Sequence, residues 1–132
     1  MADVIFWEKP GCAGNARQKA LLAAAGHRLE VRDLLAAAWT EATLRPFFGA
    51  RPVVEWFNAA APRVRSGEIR PEALSEAEAL ALMLVEPLLI RRPLMQVGAE
   101  RRAGFDSDTV AAWIGLAEGA PRLGDACPRK DV

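Results

Sequence analysis

The alternation of apolar and polar positions in the first third of the chain predicts a strand, a helix and a second strand. An apolar run at residues 4–7 is typical of a buried strand. After a Lys-Pro-Gly turn at 9–11, apolar residues recur at helical spacing from position 15 until Gly26, a common helix stop. Alternating residues over 28–33 then predict a second strand. This β-α-β opening favours a parallel pair of strands.

The middle of the chain has a helical pattern. A short helix is expected over 40–48, and Pro52 suits the first turn of another helix. Residues 62–71 have the composition of a connecting loop. Ser75-Glu-Ala-Glu78 is a capping box, which predicts a helix that continues through 79–85.

The last third of the pattern predicts a hairpin followed by a helix. An apolar strand over 91–97 is followed by a tight turn and a second strand over 100–104. A helix with one apolar stripe is expected from Asp106, and from Gly119 turn formers and charges predict a mobile tail. The order βαβ, helices, ββα predicts an α/β fold.

Composition and charge narrow the class of protein. The 132 residues are 52% hydrophobic, which fits one domain with a substantial core. Seventeen basic residues balance seventeen acidic ones, so neither direct nucleic-acid binding nor membrane binding is expected. The sequence has neither a signal-peptide pattern nor an apolar run of about 18 residues, and a cytoplasmic protein is predicted.

The two cysteines, Cys12 and Cys127, are too far apart to form the framework of a secreted disulfide-rich protein, so any disulfide should be transient. Cys12 stands in the turn before the first helix. Free backbone N–H groups and the helix dipole there favour the thiolate, which is the nucleophilic form. Position 15 is Asn, where a dithiol redox motif would have its second cysteine. The alternative is a small buried apolar residue without chemistry.

The neighbours of Cys12 suit an accessible and electropositive thiol. The small residues around it are Gly11, Ala13 and Gly14. Lys9 and Arg17 add positive charge, which further favours the thiolate.

Three ordered motifs carry a resemblance to a known family. They are Glu-Lys-Pro-Gly-Cys-Ala-Gly-Asn-Ala-Arg-Gln-Lys at 8–19, Ile-Arg-Arg-Pro-Leu-Met at 90–95 and Ala-Gly-Phe-Asp at 103–106. Together they resemble the arsenate reductase and Spx (ArsC-like) family, and most of all its nitrogenase-associated branch. The likeness extends to about Leu116.

The resemblance implies a thioredoxin-like fold with a mixed central sheet. The domain would cover residues 1–118, with a helical insertion at about 38–88. Residues 119–132 would form the mobile C-terminal tail.

The resemblance also implies roles for particular residues. In the family's reductases, the equivalent of Cys12 attacks the arsenic atom and the equivalent of Arg92 helps to hold the oxyanion. A guanidinium suits both an oxyanion and a neighbouring thiolate. A solvated charge at a strand end is the alternative for Arg92. A cis peptide bond is expected before Pro93. The implied thiol-binding or substrate-binding residues are Gly11, Ala13, Gly14, Asn15, Arg17 and Pro93.

Two departures argue against arsenate as the main substrate. The reductases carry a second arginine where this chain has Asn58, and a third after the last strand, where it has Gly104 within Ala-Gly-Phe. Each charge-assisted hydrogen bond contributes about 1.5–3 kcal/mol, so an oxyanion would lose much of its stabilisation. Four arginines could substitute in space, namely Arg63, Arg65, Arg101 and Arg102.

The sequence therefore predicts a thiol oxidoreductase in which Cys12 forms a mixed disulfide with glutathione or another small thiol. No tightly bound cofactor is expected, and glutathione would be a co-substrate. Whether the protein turns over as an enzyme is left open, and so is the role of Cys127, either a resolving thiol or an incidental one. The predicted ligand is a small thiol or an oxyanion.

The alternative is a non-catalytic regulator or nitrogenase accessory protein that binds a protein partner in nitrogen fixation or redox regulation, as the Spx branch binds RNA polymerase. His27, the only histidine, is expected to be solvated or to cap a helix. One histidine and two distant cysteines predict no metal site.

Overall fold

The computed structural model describes residues 1–124. One four-stranded sheet organises the fold, in the order β2-β1-β3-β4. β1 and β2 are parallel, whereas β1 pairs with β3, and β3 with β4, in antiparallel fashion. The predicted α/β class, mixed sheet and βαβ, helices, ββα order are confirmed. The strands are β1 (Asp3–Glu8), β2 (Arg28–Asp33), β3 (Leu94–Val97) and β4 (Glu100–Ala103).

Helices surround this sheet and also fill the segment between β2 and β3. The α-helices are α1 (Ala13–Ala24), α2 (Glu41–Leu44), α3 (Pro62–Arg65), α4 (Glu76–Val85) and α5 (Ser107–Trp113). Single 3₁₀ turns cover Arg45–Phe48, Val53–Glu55, Pro71–Ala73 and Pro87–Leu89. The loop predicted over 62–71 was wrong in part, because Pro62 begins a one-turn helix with its φ preset and no backbone N–H to leave unbonded.

The sheet separates two hydrophobic cores. Successive side chains of a strand point to opposite faces, so β1 contributes to both. Val4 and Phe6 pack on the side of α1 and α5, where they meet Leu22, Met95 and Phe105. On the other face, the helical segment between β2 and β3 builds the larger core, which includes Trp7, Leu44, Phe48, Trp56, Met83, Leu89 and Leu94.

Two helix starts match their sequence signals. Ser75 Oγ accepts a hydrogen bond from the Glu78 backbone N–H at 3.1 Å, and the Glu78 carboxylate accepts one from the Ser75 N–H at 2.9 Å. The predicted capping box of α4 is therefore confirmed. Asp106 caps α5 by accepting from the Thr109 N–H at 3.0 Å. Within residues 1–124, no helix is long and apolar enough to cross a membrane.

Residues 119–124, the first part of the predicted tail, return to the domain. The backbone N–H of Leu123 donates to Ser107 Oγ at 2.6 Å, and the Ser107 N–H donates to the Leu123 carbonyl at 3.0 Å. One residue further, the Gln18 side-chain amide donates to the carbonyl of Gly124 at 2.7 Å. These bonds attach the chain after α5 to both α5 and α1. The rest of the predicted tail lies outside the described residues.

Candidate functional site

A tight turn at the carboxyl end of β1 sets the position of Cys12. Its backbone N–H donates to the Lys9 carbonyl at 3.1 Å, which closes the turn. Gly11 has φ +83°, a conformation in which a side chain would strain the backbone. The sequence Lys-Pro-Gly-Cys therefore reverses the chain and delivers Cys12 as the N-cap of α1.

The sulfur of Cys12 takes the role that an oxygen usually has at an N-cap. It accepts a hydrogen bond from the Asn15 backbone N–H at 3.4 Å. The residue is buried, with 3% of its surface exposed. In the reduced state, the same N–H and the positive end of the helix dipole favour the thiolate.

The Asn15 side chain braces the turn from inside. Asn15 is fully buried, its Oδ1 accepts the Lys9 backbone N–H at 3.0 Å, and its Nδ2 donates to Gln18 Oε1 at 2.8 Å. Where a dithiol motif would have a second cysteine, this chain thus has an amide that joins the turn to α1. What Asn15 offers to the sulfur is its backbone N–H.

Charged side chains around the turn are partly neutralised. Glu8 and Lys19 form an ion pair at 2.6 Å, and both are mostly buried. Arg17 lies on the exposed side of α1, while Ala13 and Gly14 form its first turn, with Gly14 buried. The Glu8 carboxylate therefore has a cationic partner close to the turn.

Arg92 and Pro93 lie at the same edge of the sheet as this turn. Trp7 is the partner of Leu94 in the antiparallel β1–β3 ladder. Because the two strands are antiparallel, the residues just before Leu94 lie at the carboxyl end of β1, where the Cys12 turn begins. Arg92 is buried, with 4% of its surface exposed, rather than a solvated strand-end charge. The expected cis peptide bond before Pro93 is confirmed.

Asn58 lies beside the segment that leads into Arg92. Its backbone N–H donates to the Leu89 carbonyl at 2.8 Å, after an isolated bridge between Phe57 and Ile90. Its side chain is used locally, because Oδ1 accepts the Ala60 N–H at 3.1 Å. The amide of Asn58 therefore stabilises a turn.

Gly104 is also next to the site, and an arginine that sequence reasoning missed covers it. The Gly104 N–H donates to the Pro93 carbonyl at 2.8 Å. The guanidinium of Arg91 occupies the space that a Cβ on Gly104 would need, and its Nη1 donates to the Glu55 carbonyl at 3.1 Å. The only sequence signal for this cation was its place in the Arg91-Arg92 pair.

Four arginines were considered as substitutes for the missing oxyanion-binding arginines, and two of them, Arg63 and Arg65, lie in α3. Arg63 binds two carboxylates, Glu86 at 2.5 Å and Glu68 at 2.9 Å. Hydrogen bonds to Glu86 and then Glu68 raise the pKa of Arg63. Arg65 is exposed at the end of α3. Arg63 is thus committed to its own ion pairs.

The other two arginines belong to β4 and face opposite sides of the sheet. Arg102 lies over the ring of Trp113, 4.4 Å from its centroid, and its register partner is Met95. Arg101 is exposed and donates to the Ala99 carbonyl at 3.4 Å. Both side chains lie beside residues further along β3 than Arg92 and Pro93.

His27 is buried rather than solvated. Its Nδ1 accepts the Ala2 backbone N–H at 3.0 Å, and its Nε2 lies 2.8 Å from the Gly115 carbonyl, so the ring joins the start of β1 to the end of α5. In the described part of the chain, no group of three or more His, Cys, Asp or Glu side chains could hold a metal ion. Cys127 lies outside the described residues.

Comparisons with known proteins agree with this architecture. The sequence model of the ArsC family matches residues 16–113. A protein of Rhodospirillum rubrum, named as an uncharacterized 15.7 kDa protein in the draG 3′ region, is 59% identical over 128 residues. That match covers 97% of this chain and 90% of the relative.

Solved structures share the fold at lower identity. An ArsC family related protein from Bacteroides fragilis matches with a TM-score of 0.73 at 19% identity, covering 83% of this chain and 97% of that one. Arsenate reductase from Vibrio cholerae matches with a TM-score of 0.65 at 21% identity, covering 77% and 89%. The fold is thioredoxin-like, as expected from the motifs. The family model covers most of the chain, and the protein therefore belongs to the ArsC family.

Proposed function

We propose that this protein is a thiol-dependent oxidoreductase in which Cys12 is the nucleophile and glutathione, or another small thiol, is the co-substrate. The observation that carries the proposal is the sulfur of Cys12 at the N-cap of α1, where it accepts the Asn15 N–H at 3.4 Å. A helix N-terminus stabilises an anion, and the thiolate is the form that attacks. The step itself needs no tightly bound cofactor.

The proposed step is thiol–disulfide exchange. The Cys12 thiol first gives its proton to solvent, and the thiolate attacks one sulfur of glutathione disulfide. The glutathione S–S bond breaks as the bond between Cys12 and one glutathione forms. The other glutathione leaves as a thiolate and takes a proton from solvent. Cys12 is oxidised and glutathione disulfide is reduced, so electrons balance.

Arg92 is proposed to stabilise the Cys12 thiolate by its charge. Support comes from the antiparallel pairing of β1 and β3, which ends at Trp7 and Leu94 and so leaves Arg92 at the edge of the sheet where the Cys12 turn begins. Burial of Arg92 keeps its charge poorly screened by solvent. The buried guanidinium of Arg92 would also attract an oxyanion. Small oxyanions are therefore proposed as a second class of ligand for the site.

Alkylation of the fully reduced protein tests the proposal. We expect iodoacetamide at pH 6 to modify Cys12 faster than Cys127, as measured by competitive labelling and peptide mapping. Arg92→Gln should lower the rate at Cys12, and Arg92→Lys should retain most of it. Arg70→Gln removes an exposed arginine paired with Glu72 and serves as the matched control. The rate at each cysteine is divided by its rate in the unfolded protein to correct for accessibility. Equal corrected rates at the two cysteines contradict the proposal.

A second candidate is a non-catalytic regulatory or accessory protein that binds a protein partner in nitrogen fixation. It is favoured by one observation, the relative whose name refers to the draG 3′ region. Under this proposal, Cys12→Ser leaves the cellular role of the protein intact. If the protein is a thiol oxidoreductase, the same substitution abolishes that role. Both candidates are proposed to work in the cytoplasm, without direct binding of nucleic acid or membrane.

A further inference from the structure

A cleft of about 410 Å³ opens on the face of the sheet that the helical segment between β2 and β3 covers. Two of its lining residues, Gln96 of β3 and Arg101 of β4, are partners in the antiparallel ladder, so their side chains share one face. Gln96 is also the partner of Ile5, which packs against the larger core on that face. In contrast, α1 packs on the opposite face, and neither Cys12 nor Arg92 is among the described residues that line the cleft.

Three aromatic rings form one wall of the cleft and hold one another in place. Phe47 meets both Trp7 and Trp39 edge to face, with ring centroids 5.2 and 5.7 Å apart. The two tryptophan rings are 5.4 Å apart and tilted by 51°. The Trp39 indole N–H also donates to the Leu34 carbonyl at 2.9 Å, which fixes the orientation of that ring. A ligand therefore meets a preformed aromatic wall, and little binding free energy is lost in ordering it.

The charge of the cleft comes from one cation. Arg101 is the single charged residue among the described residues that line it. Its side chain is exposed, its Nη1 donates to the Ala99 carbonyl at 3.4 Å, and no carboxylate in the described part of the chain forms an ion pair with it. The nearby Arg32, over the Trp7 ring at 5.4 Å, is by contrast paired with Glu30. A lining of this composition attracts an anion, and the planar fork of a guanidinium suits a carboxylate.

We propose that this cleft binds a small planar aromatic anion, with its ring against the aromatic wall and its carboxylate on Arg101. A flat ligand can make the offset or edge contacts that aromatic rings prefer. The volume lies near the lower limit for ligand sites, about 300 Å³, so a ligand of one or two rings fits. Gln96, the ladder partner of Arg101, adds an amide to the same part of the cleft. This site is independent of the thiol chemistry proposed for Cys12 and goes beyond it.

An NMR titration of the full, isotope-labelled and reduced chain tests the proposal with cinnamate as the probe. We expect saturable binding to the wild type and about fivefold weaker binding to Arg101→Gln, the effect of losing one exposed ion pair. Cinnamamide, which keeps the ring but has no charge, should bind the wild type and Arg101→Gln equally. Arg102→Gln is the matched control, because Arg102 is the next residue of β4 and lies over Trp113 on the other face of the sheet. This control should bind cinnamate as tightly as the wild type does.

The indole resonances of the same titration locate the probe. The Trp39 indole N–H signal should shift as the site fills, while the Trp113 signal stays unchanged, because the two rings pack against different cores. Absence of saturable binding at millimolar cinnamate, or equal affinity of the wild type and Arg101→Gln, overturns the proposal. Weaker binding to Arg92→Gln, with unchanged binding to Arg101→Gln, would place the anion at the Cys12 site and also overturns it.

Discussion

Replacing Asn15 with alanine tests whether its amide holds the turn that presents Cys12. Asn15 is fully buried, with Oδ1 on the Lys9 N–H at 3.0 Å and Nδ2 on Gln18 Oε1 at 2.8 Å. Asn15→Ala removes both bonds at once and leaves the Lys9 N–H without its acceptor. The backbone N–H of residue 15 remains, so the N-cap bond to the sulfur can still form.

The magnitude follows from the two lost bonds and the group left behind. Each buried hydrogen bond contributes about 0.5–1.5 kcal/mol, and a buried donor left unsatisfied costs about 1–3 kcal/mol. Alanine is the better helix former by roughly 0.6 kcal/mol, which offsets part of the loss. The free energy of unfolding should therefore fall by roughly 1.5–5 kcal/mol.

Urea denaturation measures this change, as a lower midpoint with an unchanged m-value. Arg17→Ala is the matched control, because Arg17 lies on the same helix but is exposed. The control should remain within about 0.5 kcal/mol of wild type. If Asn15→Ala changes the free energy of unfolding no more than this control does, Asn15 does not hold the turn and the argument for its role fails.

Three further predictions concern positions around the domain. Ser75→Ala should cost about 1 kcal/mol and lower the melting temperature by about 4 °C, measured by circular dichroism, because it removes the N-cap of α4. The backbone hydrogen bond from Ser75 lowers the pKa of Glu78. The ionised Glu78 side chain therefore stabilises the fold above the ordinary carboxyl pKa, and this stability is lost as the pH falls through the lowered pKa. Glu78→Gln should flatten that part of the acid-unfolding profile. Arsenate reduction should be little above a Cys12→Ser control, because each missing oxyanion donor costs about 10²–10³ in rate; robust turnover that depends on Cys12 would contradict this.

Local patterns were sufficient to predict the part of the fold that carries Cys12. The apolar run of β1 and the Lys-Pro-Gly turn each depend on neighbours within a few residues, and the predicted boundaries of β2 match the structure. The capping box at Ser75 is equally local, and its two hydrogen bonds are present. Signals of this kind survive folding because tertiary packing reinforces them.

Contacts between distant segments could not be predicted in the same way. His27 is buried because Ala2 and Gly115 converge on it from opposite ends of the described chain, which no local pattern encodes. The Arg91 guanidinium covers Gly104 only because β4 returns beside β3. A one-turn helix at α3 likewise depends on a single proline within a loop-like composition.

The charges around the turn match the needs of disulfide exchange better than those of oxyanion reduction. An oxyanion of charge near −2 needs several guanidinium groups held together, but Asn58 uses its amide in a turn and Arg91 donates to the Glu55 carbonyl. Disulfide exchange has to stabilise only one negative charge on sulfur at a time. The amino end of α1 offers a backbone N–H and the helix dipole for that charge, and the role proposed for the buried Arg92 is to add one cation. Under the proposed function, a site with these groups therefore favours a thiol over arsenate, although the resemblance places Cys12 at the position of the nucleophile in the family's reductases.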